Sequence, residues 1–164
     1  MTTEKIINMD LDGTLVDFYS VNGWLNDLEN SNVRPYRVAK PLFDMNALSN
    51  ILNRLQNKGY IINIISWCSK TGSKEFNKAT IKTKKDWLKR YLSNVKFDNI
   101  YIVPYGTPKH TLSNGILFDD EEKNRKEWKG TAYNVDNILE ILQNLDWGSL
   151  DPLIFISLVK SFNY

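Results

Sequence analysis

Two aspartates follow the first apolar segment of the chain. Asp10 and Asp12 come directly after the run Ile6–Met9, within Asp-Leu-Asp-Gly-Thr, and an Ile-rich run of this kind is typical of a buried strand in a parallel sheet. Carboxylates at the end of a core strand are costly unless they are paired, hydrogen-bonded or bound to a metal ion. Open α/β sheets gather their chemistry outside the carboxyl ends of the strands. The pattern also fits an ordinary Asx-type turn that ends at Gly13.

Three further apolar runs end in polar residues that could do chemistry. They are residues 60–65 before Ser66, residues 100–103 before a turn that carries Lys109, and residues 115–118 before Asp119 and Asp120. Helical patterns alternate with these runs, which predicts an α/β fold with a parallel sheet covered by helices on both faces. Because four apolar runs each end in such polar residues, a functional site is a better interpretation of the first motif than an isolated turn.

In this order the motifs resemble those of the haloacid dehalogenase-like hydrolase superfamily. That superfamily carries Asp-x-Asp-x-Thr after the first strand, Ser or Thr after the second, a Lys, and an acidic pair after a later strand. The resemblance spans roughly residues 5–135. It implies a Rossmann-like fold and a phosphatase that uses Mg²⁺, a hard cation that prefers oxygen ligands.

The resemblance implies a role for each acidic residue. Asp10 would be the nucleophile that forms an aspartyl-phosphate, and also a metal ligand. Asp12 would be the general acid and base, with its backbone carbonyl on the metal. Adjacent strand residues point in opposite directions, so the two acids of the pair are not both expected to bind the metal directly. The Gly-Asp variant of this motif in the superfamily implies that Asp120 is the direct ligand, and Asp119 would act through water or orient the site.

The remaining motif residues are predicted to bind the phosphoryl group. Ser66 would donate its hydroxyl, although a turn or helix N-cap explains a Ser there equally well. Thr14 and the amides near Gly13 could complete an anion cradle. Lys109 is favoured as the motif lysine because it lies in a loop between a strand and the acidic pair. Lys82, Lys84 and Lys85 are alternative candidates for this role. They belong to a basic cluster whose simplest interpretation is a solvent-exposed helix face.

Residues around the motifs are similar to the 5'(3')-deoxyribonucleotidase branch of the superfamily. The similar segments are 12–19, 40–42, 84–92 and 117–120. In that branch the aromatic residue that matches Phe18 stacks on the nucleobase, and core packing is the equal alternative here. A deoxynucleoside monophosphate is therefore the favoured substrate. A phosphatase of a polynucleotide end or another large phosphoester, and a non-catalytic binding module with the same fold, stay open.

The predicted architecture is one domain over residues 1–164 with a small cap insertion at about residues 19–40, formed by a helix and a loop. Core helices are expected around residues 48–55 and 78–92, and from an N-cap at Asp136 over residues 138–145, with a fifth strand at 131–135. The apolar tail at 150–164 is expected to pack on the core, with a dimer contact or a site cover as alternatives.

Composition narrows the setting of this chemistry. A net charge of +2 is too small to indicate binding to nucleic acid or to an anionic membrane. The single cysteine fits a reducing cytosol, and neither a signal-peptide pattern nor a membrane-length apolar stretch is apparent. We therefore expect a cytoplasmic enzyme with a small-molecule substrate, for which a homo-oligomer is possible.

Overall fold

A five-stranded, all-parallel sheet forms the centre of the protein. The computed structural model describes residues 5–148. Its strands are β1 (Ile6–Met9), β2 (Ile61–Trp67), β3 (Asn99–Val103), β4 (Ile116–Phe118) and β5 (Thr131–Tyr133). Its α-helices are α1 (Trp24–Glu29), α2 (Arg34–Val38), α3 (Met45–Asn57), α4 (Lys74–Tyr91), α5 (Glu122–Glu127) and α6 (Ile138–Trp147). The predicted Rossmann-like α/β fold is confirmed.

The order of the strands creates a crevice beside β1. The order is β3-β2-β1-β4-β5, so the chain builds outward from β1 on one side and then returns to build on the other. Ligands of such sheets bind at this switch point, outside the carboxyl ends of the strands. Met9 pairs with Phe118 in the β1–β4 register. Asp10 and Asp119, the next residues of each strand, therefore begin their loops side by side.

The sheet buries a different apolar cluster on each face. Ile7 and Met9 of β1 point to the larger cluster, which also contains Leu48 and Leu52 of α3. Leu117 points to the opposite, smaller cluster with Trp128. This alternation is the period of two expected for strands buried on both faces. On the face with the smaller cluster, hydrogen bonds join asparagine side chains of three neighbouring strands, namely the buried Asn8 and Asn63 and the exposed Asn99.

Several predicted boundaries shift for local reasons. Helix α4 begins at Lys74, earlier than expected, because the Ser73 hydroxyl accepts a hydrogen bond from the Phe76 amide at 3.1 Å. The N-cap predicted at Asp136 is wrong, since α6 begins at Ile138 and Asn137 occupies the cap position. The fifth strand ends at Tyr133 rather than at residue 135. The short helix α5 was not predicted.

The predicted cap segment contains two short helices, where one helix and a loop were expected. Helices α1 and α2 are joined by an ion pair between Asp27 and Arg34, with Oδ2 and Nη2 2.5 Å apart. Pro35 lies in the first turn of α2, a position that needs no amide hydrogen. The expectations for the tail at 150–164 fall outside the described residues. Within residues 5–148, no helix has the length and apolarity needed to cross a membrane.

Candidate active site

Asp10 lies in the crevice between β1 and β4. Its amide donates to the carbonyl of Phe118 at 3.0 Å, which continues the strand pairing by one residue. Its side chain is 9% exposed, and Oδ1 lies 2.9 Å from Nζ of Lys109. The predicted nucleophile is therefore a nearly buried carboxylate with a cation beside it.

Lys109 reaches this carboxylate from a short 3₁₀ turn after β3. The turn spans Lys109–Thr111. The ammonium group bridges two acids, since it also lies 2.6 Å from Oδ2 of Asp119, and it sits 5.2 Å from the ring centre of Trp67. Burial opposes the charged form, but Asp10 and Asp119 outweigh it and raise the pKa of Lys109 above its ordinary value. Lys109 therefore remains a buried cation next to Asp10, where the sequence predicted one.

The two acids after β4 differ in how firmly their side chains are held. The Asp119 carboxylate accepts from Lys109, from the Glu121 amide at 2.9 Å and from Asn124 at 3.2 Å. Among the described residues, the Asp120 carboxylate has one long hydrogen bond, 3.4 Å from the Thr14 hydroxyl. The carboxylate oxygens of Asp120 are therefore less occupied by hydrogen bonds than those of Asp119, and they are the more available to bind a metal ion.

These acids form a group that fits a divalent cation. Asp10, Asp119 and Asp120 each offer one oxygen, all within 4.8 Å of one another. Burial and then the Asp10 charge raise the pKa of Asp120 to about 7 and that of Asp119 to about 6. With Asp12, four carboxyl groups share two ammonium groups, which leaves two negative charges in excess when all four are ionised. A hard cation such as Mg²⁺ would balance this charge with its preferred oxygen ligands.

Asp12 is held by a lysine that the sequence interpretation placed elsewhere. Nζ of Lys84 lies 2.6 Å from Asp12 Oδ2, 3.0 Å from Ser66 Oγ and 2.6 Å from the Trp67 carbonyl. Burial raises the pKa of Asp12, and Lys84 offsets part of this rise. Ser66 is buried, and its oxygen accepts from Lys84. Its predicted contact with a phosphoryl group stays a prediction.

The solvated-face interpretation of the basic cluster is wrong for Lys84, whose side chain is 2% exposed. The signal was present in the spacing, because Lys84 follows Thr80 by four residues and precedes Leu88 by four, which places all three on one helical face. That face is buried. The other members of the cluster are exposed, namely Lys82, Lys85, Lys89 and Arg90.

Gly13 and Thr14 use their polar groups inside the loop. The Gly13 amide donates to the Val16 carbonyl and the Thr14 amide to the Leu11 carbonyl. Thr14 Oγ1 accepts from the Asp120 amide at 3.2 Å. Gly13 has φ of 77°, and a Cβ there would lie 2.3 Å from Asp120 Oδ2, so glycine leaves the space that Asp120 occupies. The structure gives both residues a part in placing Asp120, and their predicted contact with a phosphoryl group stays a prediction.

A cavity of about 330 Å³ opens above the acids. Asp10, Asp12, Asp120 and Lys109 lie at its polar end. Much of its remaining wall comes from helix α1, from the end of β2 and from the loops after β2 and β3, and this part includes Trp24, Leu25, Leu28, Trp67, Lys70 and Tyr105. Helix α1 of the predicted cap segment therefore supplies one wall of the site.

Phe18 borders this cavity but is packed among other aromatic rings. It is 3% exposed and stacks on Tyr36, with ring centres 4.8 Å apart and planes inclined by 29°. Tyr19 and Trp24 pack against it as well. Core packing accounts for the position of Phe18, and its stacking on a nucleobase stays a prediction.

The sequence matches no protein-family model and no curated protein. The evidence for function therefore comes from the geometry of the site. Residues at or after the ends of β1, β2, β3 and β4 line one cavity. The predicted nucleophile, lysine and acidic pair lie together there, and Lys84 of α4 holds the predicted acid–base group beside them.

Proposed function

We propose that this protein is a Mg²⁺-dependent phosphatase that hydrolyses phosphate monoesters through an aspartyl-phosphate on Asp10. The observation that carries the proposal is the arrangement around Asp10. This carboxylate lies at the polar end of the cavity, 2.9 Å from Lys109 and within 4.8 Å of an oxygen of Asp120. Asp12 lines the same cavity two residues further along the chain.

Each residue has a distinct part in the proposed reaction. A carboxylate oxygen of Asp10 attacks phosphorus, a bond forms between them, and the bond to the leaving oxygen breaks. Asp12 gives its proton to that oxygen and then takes one from the water that cleaves the acyl phosphate. The raised pKa of Asp12 supports this use, because it favours the protonated form. Lys109 orients Asp10 and offsets the negative charge around it.

Asp10 and Asp120 would hold the metal ion, with Asp119 behind them. Bound Mg²⁺ would neutralise phosphoryl charge that otherwise repels a carboxylate nucleophile. Asp119 already accepts three neighbouring donors, so we assign it to orienting the site. We propose the remaining two as direct ligands, in agreement with the resemblance.

The cavity supports a small organic phosphate ester as substrate. Its volume of about 330 Å³ falls at the lower end of the range of ~300–1,000 Å³ for small-molecule pockets. Aromatic and aliphatic walls at Trp24, Leu28, Trp67 and Tyr105 suit an apolar or planar leaving group. The resemblance favours a deoxynucleoside monophosphate among such esters. A cytoplasmic location, which suits the buried free thiol of Cys68, belongs to the same proposal.

A phosphate-release screen tests the proposal. The purified protein is assayed with Mg²⁺, and with a chelator instead, on deoxynucleoside monophosphates, sugar phosphates, acetyl phosphate and 5'-phosphorylated oligonucleotides. We expect Mg²⁺-dependent release from the small esters, abolished in Asp10→Asn and retained in Asp17→Asn. Asp17 is a matched control, because it lies in the same loop and outside the cavity lining. Release restricted to oligonucleotides would move the substrate to polynucleotide ends, and no release from any ester would refute the proposal.

A further inference from the structure

One nitrogen of Arg125 binds the backbone of both acids that follow β4. Nη1 donates to the carbonyl oxygen of Asp119 at 2.8 Å and to that of Asp120 at 2.6 Å. Arg125 lies in α5, and its half-buried side chain reaches back past the start of that helix. A primary guanidinium nitrogen carries two hydrogens, so a single group can bind both carbonyls at once.

The amides of the same segment are bound on the other side. The Asp119 amide donates to the Tyr133 carbonyl at 3.2 Å. The Asp120 amide donates to Thr14 Oγ1 at 3.2 Å, and the Glu121 amide to Asp119 Oδ1 at 2.9 Å. With Arg125 on the carbonyls, the two peptide groups that flank the Cα of Asp120 each have both polar atoms bound. Their planes are fixed, and so is the direction of the Asp120 Cα–Cβ bond.

This backbone restraint matters more for Asp120 than for Asp119. The Asp119 side chain is held directly by Lys109 and Asn124. The only hydrogen bond that the Asp120 side chain makes with the described residues is the 3.4 Å one from the Thr14 hydroxyl. Three carboxyl groups lie within reach of one another here, and repulsion between their ionised forms would turn a weakly held side chain away. Besides the Thr14 hydroxyl and the space that Gly13 leaves, the restrained backbone keeps Asp120 directed at Asp10.

We propose that Arg125 is a positioning residue that presets Asp120 for the divalent cation. The proposal rests on the metal site of the proposed function and goes beyond it, because the site then depends on a side chain that touches neither carboxylate. Partners outside the ligand shell that orient metal ligands typically contribute 10–100-fold in affinity. Lysine cannot reproduce the contact fully, since its ammonium group lacks the planar, rigidly spaced donors of guanidinium.

The test is calorimetric titration of the full chain with Mg²⁺ alone. Arg125→Met removes both hydrogen bonds, and Arg125→Lys keeps the charge. Lys126→Met is the matched control, because Lys126 is the next residue of α5 and its ammonium group pairs with Glu122 at the surface. We expect Mg²⁺ affinity to fall about 10–100-fold in Arg125→Met, to fall less in Arg125→Lys, and to stay unchanged in Lys126→Met. Thermal unfolding of each metal-free variant reports its fold separately.

If folded Arg125→Met binds Mg²⁺ as tightly as the wild type, the proposal is overturned. A lower unfolding temperature together with that unchanged Mg²⁺ affinity would show that the role of Arg125 is purely structural. If Arg125→Met does not fold, Arg125→Lys decides: full affinity there refutes the two-carbonyl contact. Phosphate release is measured in parallel on the wild type. Mg²⁺ binding without phosphatase activity would refute the proposed function, and the titration of the Arg125 variants would still decide whether Arg125 positions Asp120. Absence of Mg²⁺ binding by the wild type would refute this proposal directly.

Discussion

Replacing Lys84 with methionine is expected to destabilise the protein far more than a surface lysine change can. The substitution keeps the length of the side chain and removes its charge. Lys84 is 2% exposed and donates to Asp12, Ser66 and the Trp67 carbonyl at 2.6–3.0 Å. The change therefore leaves a carboxylate, a hydroxyl and a carbonyl without their shared donor in a largely buried site.

The expected magnitude follows from the burial of the pair. Removing one partner of a buried ion pair costs roughly 3–5 kcal/mol. The Asp12 side chain is 19% exposed, so water compensates in part and the lower end applies, at about 3 kcal/mol. For a chain of this length, that loss corresponds to a fall of about 6–12 °C in the unfolding midpoint.

Urea or thermal unfolding, followed by circular dichroism, measures the effect. Lys82→Met is the matched control on the same helix, because Lys82 is 78% exposed and pairs with Asp86 four residues on. Such exposed pairs contribute little to stability, because water and salt screen them. If Lys84→Met is no more destabilising than Lys82→Met, the buried position of Lys84 beside Asp12 is wrong, and the solvated-face interpretation of the basic cluster is restored.

Three further changes test separate parts of the structure. Asp12→Asn should lower turnover by about 10²–10⁴-fold and leave Mg²⁺ affinity intact by calorimetry; loss of that affinity would make the side chain a ligand. Burial alone would raise the pKa of Asp146, yet Lys58 and Arg54 hold it below its ordinary value, so its stabilisation is present at neutral pH and is lost as pH falls through the lowered pKa. Asp146→Asn should therefore cost about 1.5–3 kcal/mol at pH 7 and progressively less as pH falls below the ordinary pKa of an aspartate, and a pH-independent difference would contradict the ion pairs. Phe18→Ala should cost about 3–5 kcal/mol in urea unfolding, whereas a loss below about 1 kcal/mol would remove its ring from the core.

The sequence allowed the centre of the site to be predicted because strand ends determine it. Parallel strands with Met9 opposite Phe118 must bring the following residues together. Asp10, Asp119 and Asp120 could therefore be grouped from their positions after apolar runs. Lys109 was identifiable for a related reason, since it follows β3 by a short turn.

Residues that enter the site from helices were harder to predict. Lys84 stands among exposed lysines of α4, and its neighbours in sequence hide the helical spacing that buries it. Arg125 lies in a six-residue helix without a marked apolar face. No periodic pattern in the sequence therefore predicts this helix or the contact of Arg125 with the carbonyls of Asp119 and Asp120. The N-cap of α6 was misplaced by one residue, because Asp136 accepts a hydrogen bond from Asn134 instead of capping the helix.

Trapping the covalent intermediate tests the central claim most directly. Asp12→Asn should slow hydrolysis of the aspartyl-phosphate, so the variant is incubated with Mg²⁺ and a substrate found in the screen, quenched in acid and analysed by peptide mass spectrometry. We predict one added phosphoryl group on Asp10, absent from Asp10→Asn and from samples without Mg²⁺. Phosphorylation of another residue, or turnover by the wild type with an unmodified Asp10 in the trapped variant, would contradict the account.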